Sequence, residues 1–267
     1  MKYKTKSLLL WVLAFFIMLI SGYYQRTTGP TYPKSGKIVV DGQTVEFELI
    51  RSWNTGTGAE VIIEAPNREI NGKYRYKRFK SHDQWSEKPM LRQDDELVAV
   101  LPPLDAAGKM MYEVYLGKDG NFTKLLDQPV VLRYKGAVPW YILIPHIIII
   151  FIAMMFSVRT LFEALGKGKN LVKYAFWTMI LLTVGGMVLG PIVQKYAFDV
   201  YWSGWPFGHD LTDNKMFVGF VMWIIAYFKV RKNPRHRGWV IAAALVLFVV
   251  YLIPHSMFGS EIDYTKQ

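Results

Sequence analysis

The sequence predicts an α+β membrane protein with an N-terminal anchor helix, an extracytoplasmic β-sandwich of immunoglobulin or fibronectin type, and a four-helix transmembrane bundle. Three observations predict this class. Five long apolar stretches lie along the 267 residues. A segment with alternating apolar and polar side chains separates the first stretch from the second. Basic residues are distributed unevenly around the stretches. We therefore expect domains at 1–29, 30–136 and 137–267.

The apolar stretches are the candidate membrane spans. They cover residues 8–24, 139–156, 174–193, 211–228 and 239–254. A helix needs about 20 mostly apolar residues to cross the hydrocarbon core, and the last two stretches are short by that measure. The first stretch is either a retained anchor or a cleaved signal peptide. Because Ile20-Ser-Gly22 is a poor cleavage site, a retained anchor is favoured, and both alternatives export the residues that follow.

The positive charges predict the orientation. The residues before the first span and the connectors after the second and fourth spans are rich in Lys and Arg, and the opposite connectors are not. The positive-inside rule then places the chain in a bacterial inner membrane with both basic connectors in the cytoplasm. The β domain, the loop 194–215 and the C-terminus lie outside. This placement accounts for the formal net charge of +11, so we predict contact with the lipid bilayer and no nucleic-acid binding. We expect no buried charge in the cytoplasmic half of the bundle.

The segment 30–136 reads as a series of short strands. They are predicted at 37–40, 45–50, 59–64, 74–79, 97–101, 110–115 and 130–134. Asp41-Gly42 is a hairpin turn dipeptide between the first two. Several short alternating strands are typical of a β-sandwich. The cysteine signature of a true immunoglobulin domain is missing, so the prediction concerns architecture, with partner binding or spacing as the expected role.

The loop between the third and fourth spans holds the richest chemistry. Its sequence from Tyr201 to Lys215 is Tyr-Trp-Ser-Gly-Trp-Pro-Phe-Gly-His-Asp-Leu-Thr-Asp-Asn-Lys. His146 lies early in the second span, and the chain closes on a further histidine and acid. Imidazoles and carboxylates on one membrane face can bind zinc, copper or iron. The candidate metal ligands are His209, Asp210, Asp213, His255 and Glu261. Cysteine is absent, which excludes thiolate ligands and cysteine nucleophiles.

Structural roles compete with each of these assignments. Asp210 is well placed to cap the fourth helix, with Asp213 in its first turn. His146 follows a proline inside a span, where it is either a ligand or a hydrogen-bond partner of a neighbouring helix. The spacing Gly186-x-x-x-Gly190 favours close helix packing.

The stretch from Trp202 through Trp205 to Asp210 resembles the tryptophan-rich loop of the haem-handling membrane proteins of cytochrome c maturation, which runs Trp-Gly-x-Trp-Trp-x-Trp-Asp. The resemblance implies that His146 and His255 are axial ligands of haem iron and that Trp202 and Trp205 contact the porphyrin. This chain departs from the pattern at Pro206-Phe-Gly208 and has one inserted residue before Asp210. The resemblance is confined to residues 201–215.

The whole chain also resembles uncharacterised multi-pass envelope proteins of bacteria, through the segments 29–33 and 130–136 and the loop. That resemblance implies no activity. Three functions therefore remain open. The first is a metal- or haem-binding site at the outer face of the bundle. The second is a non-enzymatic assembly or scaffold subunit whose sandwich binds an envelope protein partner. The third is a membrane metalloenzyme with Asp213 or Glu261 as general base.

Overall fold

The protein, seen in a computed structural model that describes residues 3–255, 257, 259 and 261–266, is α+β. Its helices are α1 Tyr3–Thr27, α2 Trp140–Leu165, α3 Leu171–Leu182, the π-helical segment Thr183–Leu189, α4 Gly190–Phe198, α5 Leu211–Lys232 and α6 Gly238–Leu252. A short 3-10 turn covers Tyr264–Lys266. Among the described residues the chain divides into a helical unit, Met1–Pro30 with Val138–Gly259, and a β unit, Thr31–Ala137 with Ser260–Gln267.

Three helical stretches are long and apolar enough to cross a membrane. They are Lys4–Thr27, Trp140–Leu165 and Leu171–Phe198, the last of which runs through α3, the π segment and α4. Gly238–Leu252 is apolar but shorter, and α5 carries charged residues in its first and last turns. Five spans were expected, so the expectation holds for three by length and composition.

The helices of this unit share one apolar core, and α1 is part of it. Ala14 and Met18 of α1 are buried with Met154 of α2 and Trp223 of α5. Near the end of α1 the side-chain amide of Gln25 donates to the carbonyl of Tyr251 at 2.6 Å. The first helix is therefore packed within the helical unit.

A buried ion pair lies near the C-terminal end of α2. Arg159 Nη1 donates to Glu163 Oε2 at 2.7 Å, and both side chains are almost fully buried. The guanidinium carbon lies 5.6 Å from the ring centre of Trp11 and 4.9 Å from that of Tyr174. We expected no buried charge at this end of the helical bundle, and the Arg159–Glu163 pair is buried there. Because α2 continues beyond the apolar stretch to Leu165, Arg159 lies in the helix and not in the basic connector.

The β unit contains eleven strands in its described residues. They are β1 Lys34–Val40, β2 Gln43–Leu49, β3 Ser52–Asn54, β4 Ala59–Glu64, β5 Asn71–Arg78, β6 Ser86–Pro89, β7 Leu91–Gln93, β8 Glu96–Leu101, β9 Lys109–Lys118, β10 Asn121–Lys124 and β11 Val130–Lys135. They form a β1-β2 hairpin, a three-stranded sheet β4-β8-β7, and a six-stranded sheet β3-β11-β9-β5-β6 in which β10 also pairs with β9. Only the β3–β11 pairing is parallel among these ladders.

The three sheets contribute their apolar faces to one core. Phe47 of β2, Ile63 of β4, Leu116 of β9 and Tyr134 of β11 are among its buried members. Alternation predicted the strands that supply this core. Four short strands, β3, β6, β7 and β10, were not predicted. Every residue of β6 is exposed, so it carries no apolar alternation for a sequence pattern to detect.

Candidate functional site

The tryptophan-rich loop connects α4 to α5, and Asp210 begins α5 as its N-cap. One carboxylate oxygen, Oδ1, accepts from the backbone N–H of Thr212 at 2.7 Å and of Asp213 at 3.4 Å. These N–H groups have no partner within the helix, so a carboxylate there satisfies them and opposes the positive end of the helix dipole. The predicted capping role of Asp210 is confirmed.

Asp213 ties the loop to α4. Its Oδ2 accepts from the backbone N–H of Ser203 at 2.7 Å, from the Ser203 hydroxyl at 3.2 Å and from the side-chain amide of Gln194 at 3.0 Å. Gly204 follows directly, and a Cβ there would lie 2.6 Å from Asp213 Cβ. The loop backbone therefore approaches α5 too closely for any larger residue. This carboxylate is engaged by three hydrogen bonds from its own loop and α4.

The two tryptophans of the loop pack against α5. The rings of Trp202 and Trp205 lie 6.3 Å and 6.2 Å from the ring of Phe217. Trp202 Nε1–H donates to the Trp205 carbonyl at 3.1 Å, and the Trp205 backbone N–H donates to Asn214 Oδ1 at 2.6 Å. The Trp205–Pro206 peptide bond is cis. The rings thus fold the loop onto the start of α5 through contacts within the helical unit.

His146 of α2 faces the π-helical segment. Its Nδ1 lies 2.9 Å from the carbonyl oxygen of Gly185, which also accepts from the backbone N–H of Gly190. A carbonyl can only accept, so Nδ1 carries the proton and Nε2 of the neutral ring keeps its lone pair. This arrangement, with a backbone carbonyl holding one ring nitrogen, is common in histidines that bind a metal through the other. Both of the competing roles for His146 therefore remain compatible with its contacts.

Of the two glycines predicted to pack closely, Gly186 of the π segment does so, whereas Gly190 at the start of α4 makes only ordinary contacts; Gly185 is a further close-packing position. A Cβ on Gly186 would lie 2.2 Å from Met216 Cε of α5, and a Cβ on Gly185 would lie 2.9 Å from Ile149 Cγ2 of α2. Short insertions of π-helix are often found at functional sites. Here the segment directs a backbone carbonyl at His146, a feature that the sequence pattern did not predict.

Lys215 is a buried member of this region that the sequence analysis treated as an ordinary loop charge. Its Nζ donates to the carbonyl oxygens of Ile253 at 2.5 Å and Pro254 at 3.3 Å, directly after α6. An ammonium group at a helix C-terminus satisfies carbonyls that have no partner within the helix. The sequence feature that could have indicated this role is the position of Lys215 about one turn into the helix that Asp210 caps. Lys215 therefore joins the start of α5 to the end of α6.

Of the remaining predicted ligands, His255 lies close enough to His146, Asp210 and Lys215 to interact with them electrostatically. His209 and His255 are exposed. Glu261 belongs to the β unit, where its two carboxylate oxygens pair with the ammonium groups of Lys80 and Lys109. Burial raises the pKa of the Glu261 carboxyl, but hydrogen bonds from the two lysines outweigh this effect and lower the pKa overall. Within the described part of the chain, no three His, Asp or Glu side chains form a group that could hold a metal ion.

A second chemically distinct surface lies on the outer face of the six-stranded sheet. The β5–β9 register sets Lys73 opposite Tyr115, Arg75 opposite Glu113 and Lys77 opposite Met111. The guanidinium carbon of Arg75 and the Nζ of Lys77 lie 4.8 Å and 5.5 Å from the ring centre of Trp85. We call the surface formed by Lys73, Arg75, Lys77, Trp85, Lys109 and Tyr115 the basic face. The sequence analysis missed it because its members come from separate strands.

Glu113 is the one buried acid beneath the basic face in the described residues. It pairs with Arg75 and accepts from Lys124 Nζ at 2.8 Å and from the Tyr115 hydroxyl at 2.6 Å. Burial raises the pKa of the Glu113 carboxyl, but these three hydrogen bonds outweigh it and lower the pKa to about 2. Glu113 therefore stays ionised and holds Arg75 and Tyr115 in place on the surface.

Comparisons with protein-family models, with curated proteins and with solved structures found no match to this chain.

Proposed function

We propose that this chain is a non-enzymatic assembly protein of the bacterial inner membrane, whose helical unit anchors it and whose extracytoplasmic β unit binds a protein partner. The observation that carries the proposal is that the two loop carboxylates accept hydrogen bonds from their own loop and helix. Asp210 caps α5 and Asp213 accepts three hydrogen bonds from Ser203 and Gln194. A general base or metal ligand needs a free lone pair directed at its target. One oxygen of each acid, Asp210 Oδ1 and Asp213 Oδ2, is used to hold the loop on the bundle, which favours a structural role for both.

The proposed topology has five spans, with α5 and α6 crossing beside the other three. Support comes from the shared apolar core, in which Trp223 of α5 and Leu247 of α6 are buried. The basic residues at the end of α5 and before α6 fit a cytoplasmic turn. We propose a sandwich for the β unit on similar grounds, since its three sheets share one core.

Chain connectivity supports an extracytoplasmic C-terminus. The connectors 28–33, 136–139 and 253–260 join α1, α2 and α6 to described residues of the β unit. Even the longest, of eight residues, reaches at most about 29 Å when fully extended. A membrane with its headgroups is about 40–45 Å thick. The three helix ends therefore belong on the side of the membrane that carries the β unit.

Photo-crosslinking in the native host tests the assembly function. The substitution Gln84→p-benzoylphenylalanine places a crosslinker at an exposed position beside Trp85, and Glu60→p-benzoylphenylalanine places one at an exposed position on the three-stranded sheet as the control. We expect a discrete protein adduct at position 84 that is absent at position 60. Equal labelling at both positions, or none at either, would remove the support for a docking role of the β unit.

The second candidate is a metal- or haem-binding protein, favoured by the tautomer of His146. The Gly185 carbonyl holds Nδ1–H and leaves Nε2 able to bind a divalent metal or haem iron. His255 would supply a second imidazole. The group, when bound, would supply Lewis-acid or redox chemistry at the outer end of the helical unit. The packing of Trp202 and Trp205 on Phe217 offers less support for porphyrin contacts.

Absorption spectroscopy and elemental analysis of the detergent-purified protein test this candidate. The expected result is stoichiometric metal or a Soret band that is lost in His146→Ala and reduced in His255→Ala. His82→Ala, which removes an exposed histidine of the β unit, is the matched control and leaves the signal unchanged. A colourless, metal-free protein purified from metal- and haem-replete cells would exclude the candidate.

A further inference from the structure

The C-terminal tail binds to the β unit as an acidic segment. Glu261 lies between the ammonium groups of Lys80 and Lys109, and the backbone N–H of Ile262 donates to the Ala107 carbonyl at 3.3 Å. The guanidinium carbon of Arg78 lies 4.6 Å from the ring centre of Tyr264. The β unit thus recognises a carboxylate, a backbone N–H and an aromatic ring within four consecutive residues of its own chain.

The tail occupies one end of the basic face, where Lys80, just beyond the end of β5, shares Glu261 with Lys109. Lys109 is the basic-face residue that Glu261 contacts, and it lies two positions along β9 from Met111, which is opposite Lys77. From Lys77 the face continues to Arg75 and Lys73, which lie beyond the contacts made by the described tail residues. The side chains of Lys73 and Arg75 are 32% and 36% exposed, so about a third of each is open to a ligand.

The open end keeps the same chemistry as the occupied end. At the occupied end, the guanidinium of Arg78 packs on the ring of Tyr264. At the open end, Arg75 and Lys77 pack near the ring of Trp85. Acidic side chains at the open end are Glu113, which is buried, and Glu87, which pairs with Lys73 at 3.1 Å. Cations beside aromatic rings favour a ligand that carries both carboxylates and apolar or aromatic groups.

We propose that the basic face is the docking surface for an acidic segment of the partner protein, and that the C-terminal tail is an intramolecular occupant of its Lys80–Lys109 end. The proposal rests on the assembly function proposed above and names the chemistry of its partner. A peptide fits better than a lipid phosphate group, because the occupied end uses a backbone N–H to carbonyl hydrogen bond in addition to charge pairing. Phosphate groups carry no such donor.

A peptide-binding experiment tests the occupied end. The full chain and a variant truncated after Gly259 are purified in detergent and titrated with a fluorescent peptide of the sequence of residues 259–267, up to millimolar concentration. We expect the truncated variant to bind at least ~10-fold more tightly than the full chain, because a tethered tail competes at an effective concentration on the order of millimolar. Lys109→Glu in the truncated variant weakens binding at least ~10-fold, which is about 1.4 kcal/mol.

The control is Arg68→Glu, which makes the same charge change at an exposed loop position of the β unit and leaves binding unchanged. Circular dichroism of each variant establishes that the β unit is folded. Absence of binding by the truncated variant, or an equal loss in the Arg68 and Lys109 variants, would overturn the proposal.

The open end is tested with the crosslinker at position 84 in the native host. Lys77→Glu is expected to reduce the protein adduct at least ~5-fold, and Arg68→Glu leaves it intact. A protein adduct that persists in Lys77→Glu would overturn the acidic-segment proposal and leave the assembly function standing. An adduct identified by mass spectrometry as lipid or glycan would overturn both, as would the absence of any adduct.

Discussion

Individual charged residues in this protein are stabilised by very local partners. Glu113, Asp210 and Asp213 are all buried, and each accepts hydrogen bonds that satisfy its carboxylate. A buried charge without such partners is strongly destabilising. The sequence shows the acids but not their donors, so acids used for structure look the same as acids available for chemistry.

Glu113 makes the stability of the β unit depend on pH. The pKa of Glu113 is about 2 in the folded protein and about 4.3 in an unfolded chain. The ionised carboxylate therefore stabilises the fold fully at pH values above about 4.3. This stabilisation, on the order of 3 kcal/mol, is lost as the pH falls through the folded pKa. We expect hydrogen-exchange protection of β9 to decrease from about pH 5 to pH 2. Glu113→Gln should remove most of that decrease.

The control for Glu113 is Glu87→Gln on β6, two strands away in the same sheet. Glu87 pairs with Lys73 at 3.1 Å and is half exposed, so its loss removes a surface ion pair of small energetic value. The same pH dependence in wild type and Glu113→Gln would show that this network does not set it.

Asp213 should hold the tryptophan-rich loop on the bundle. Asp213→Ala removes the oxygen Oδ2 that accepts from the Ser203 N–H, the Ser203 hydroxyl and the Gln194 amide. An unsatisfied buried donor costs about 1–3 kcal/mol. We expect faster hydrogen exchange and proteolysis of residues 201–209. Asp199→Ala, at an exposed acid that pairs with Lys195, should leave both rates unchanged, and so would Asp213→Ala if the loop were held by its aromatic contacts alone.

At the scale of elements, α1 and α2 are joined by an arginine within an apolar environment. The Arg159 guanidinium pairs with Glu163 and packs near the rings of Trp11 and Tyr174. Trp11 itself contacts Phe156 of α2 edge-on, with 4.8 Å between the ring centres. An arginine inside a helical bundle is costly unless it is covered in this way. This arrangement gives α1 a structural role beyond anchoring.

Trp11→Ala should therefore destabilise the helical unit. It removes one of the two rings over Arg159, a contact of about 2 kcal/mol when desolvated. The expected result is a lower Tm in detergent and weaker association of α1 with the remaining helices. Phe16→Ala removes an aromatic ring that is 53% exposed on the same helix and serves as the matched control. Equal Tm values for the two variants would argue that Trp11 contributes only surface area.

At the scale of the whole molecule, the proposed topology makes a direct prediction. A periplasmic reporter enzyme, alkaline phosphatase, fused after Gln267 should be active, because connectivity and the positive-inside rule both place the C-terminus outside. The same enzyme inserted after Pro234, between α5 and α6, should be inactive. The opposite pattern of reporter activities would rule out the five-span arrangement. It would also rule out the proposal that the β unit and the C-terminal tail are on the same side of the membrane.

Some structural features could be predicted from local sequence patterns. The apolar stretches, the alternating strands of the core and the cap Asp210 each depend on residues within a few positions of one another. The length of α2 could not be predicted from the sequence, because Arg159 and Glu163 look like the start of a basic connector. The candidate metal set was predicted as one group, but Glu261 pairs with two lysines of the β unit instead. Its nearest neighbours in space are far away in sequence.

The sequence by itself determined the α+β class and the apolar helices and predicted an orientation, because hydropathy, alternation and charge bias act residue by residue along the chain. The tertiary structure alone decided which polar side chains are already satisfied and which are open. It showed the engagement of Asp213, the tautomer of His146, the burial of Lys215 and the basic face. Each depends on partners brought together by helix packing or strand register, which sequence spacing does not specify.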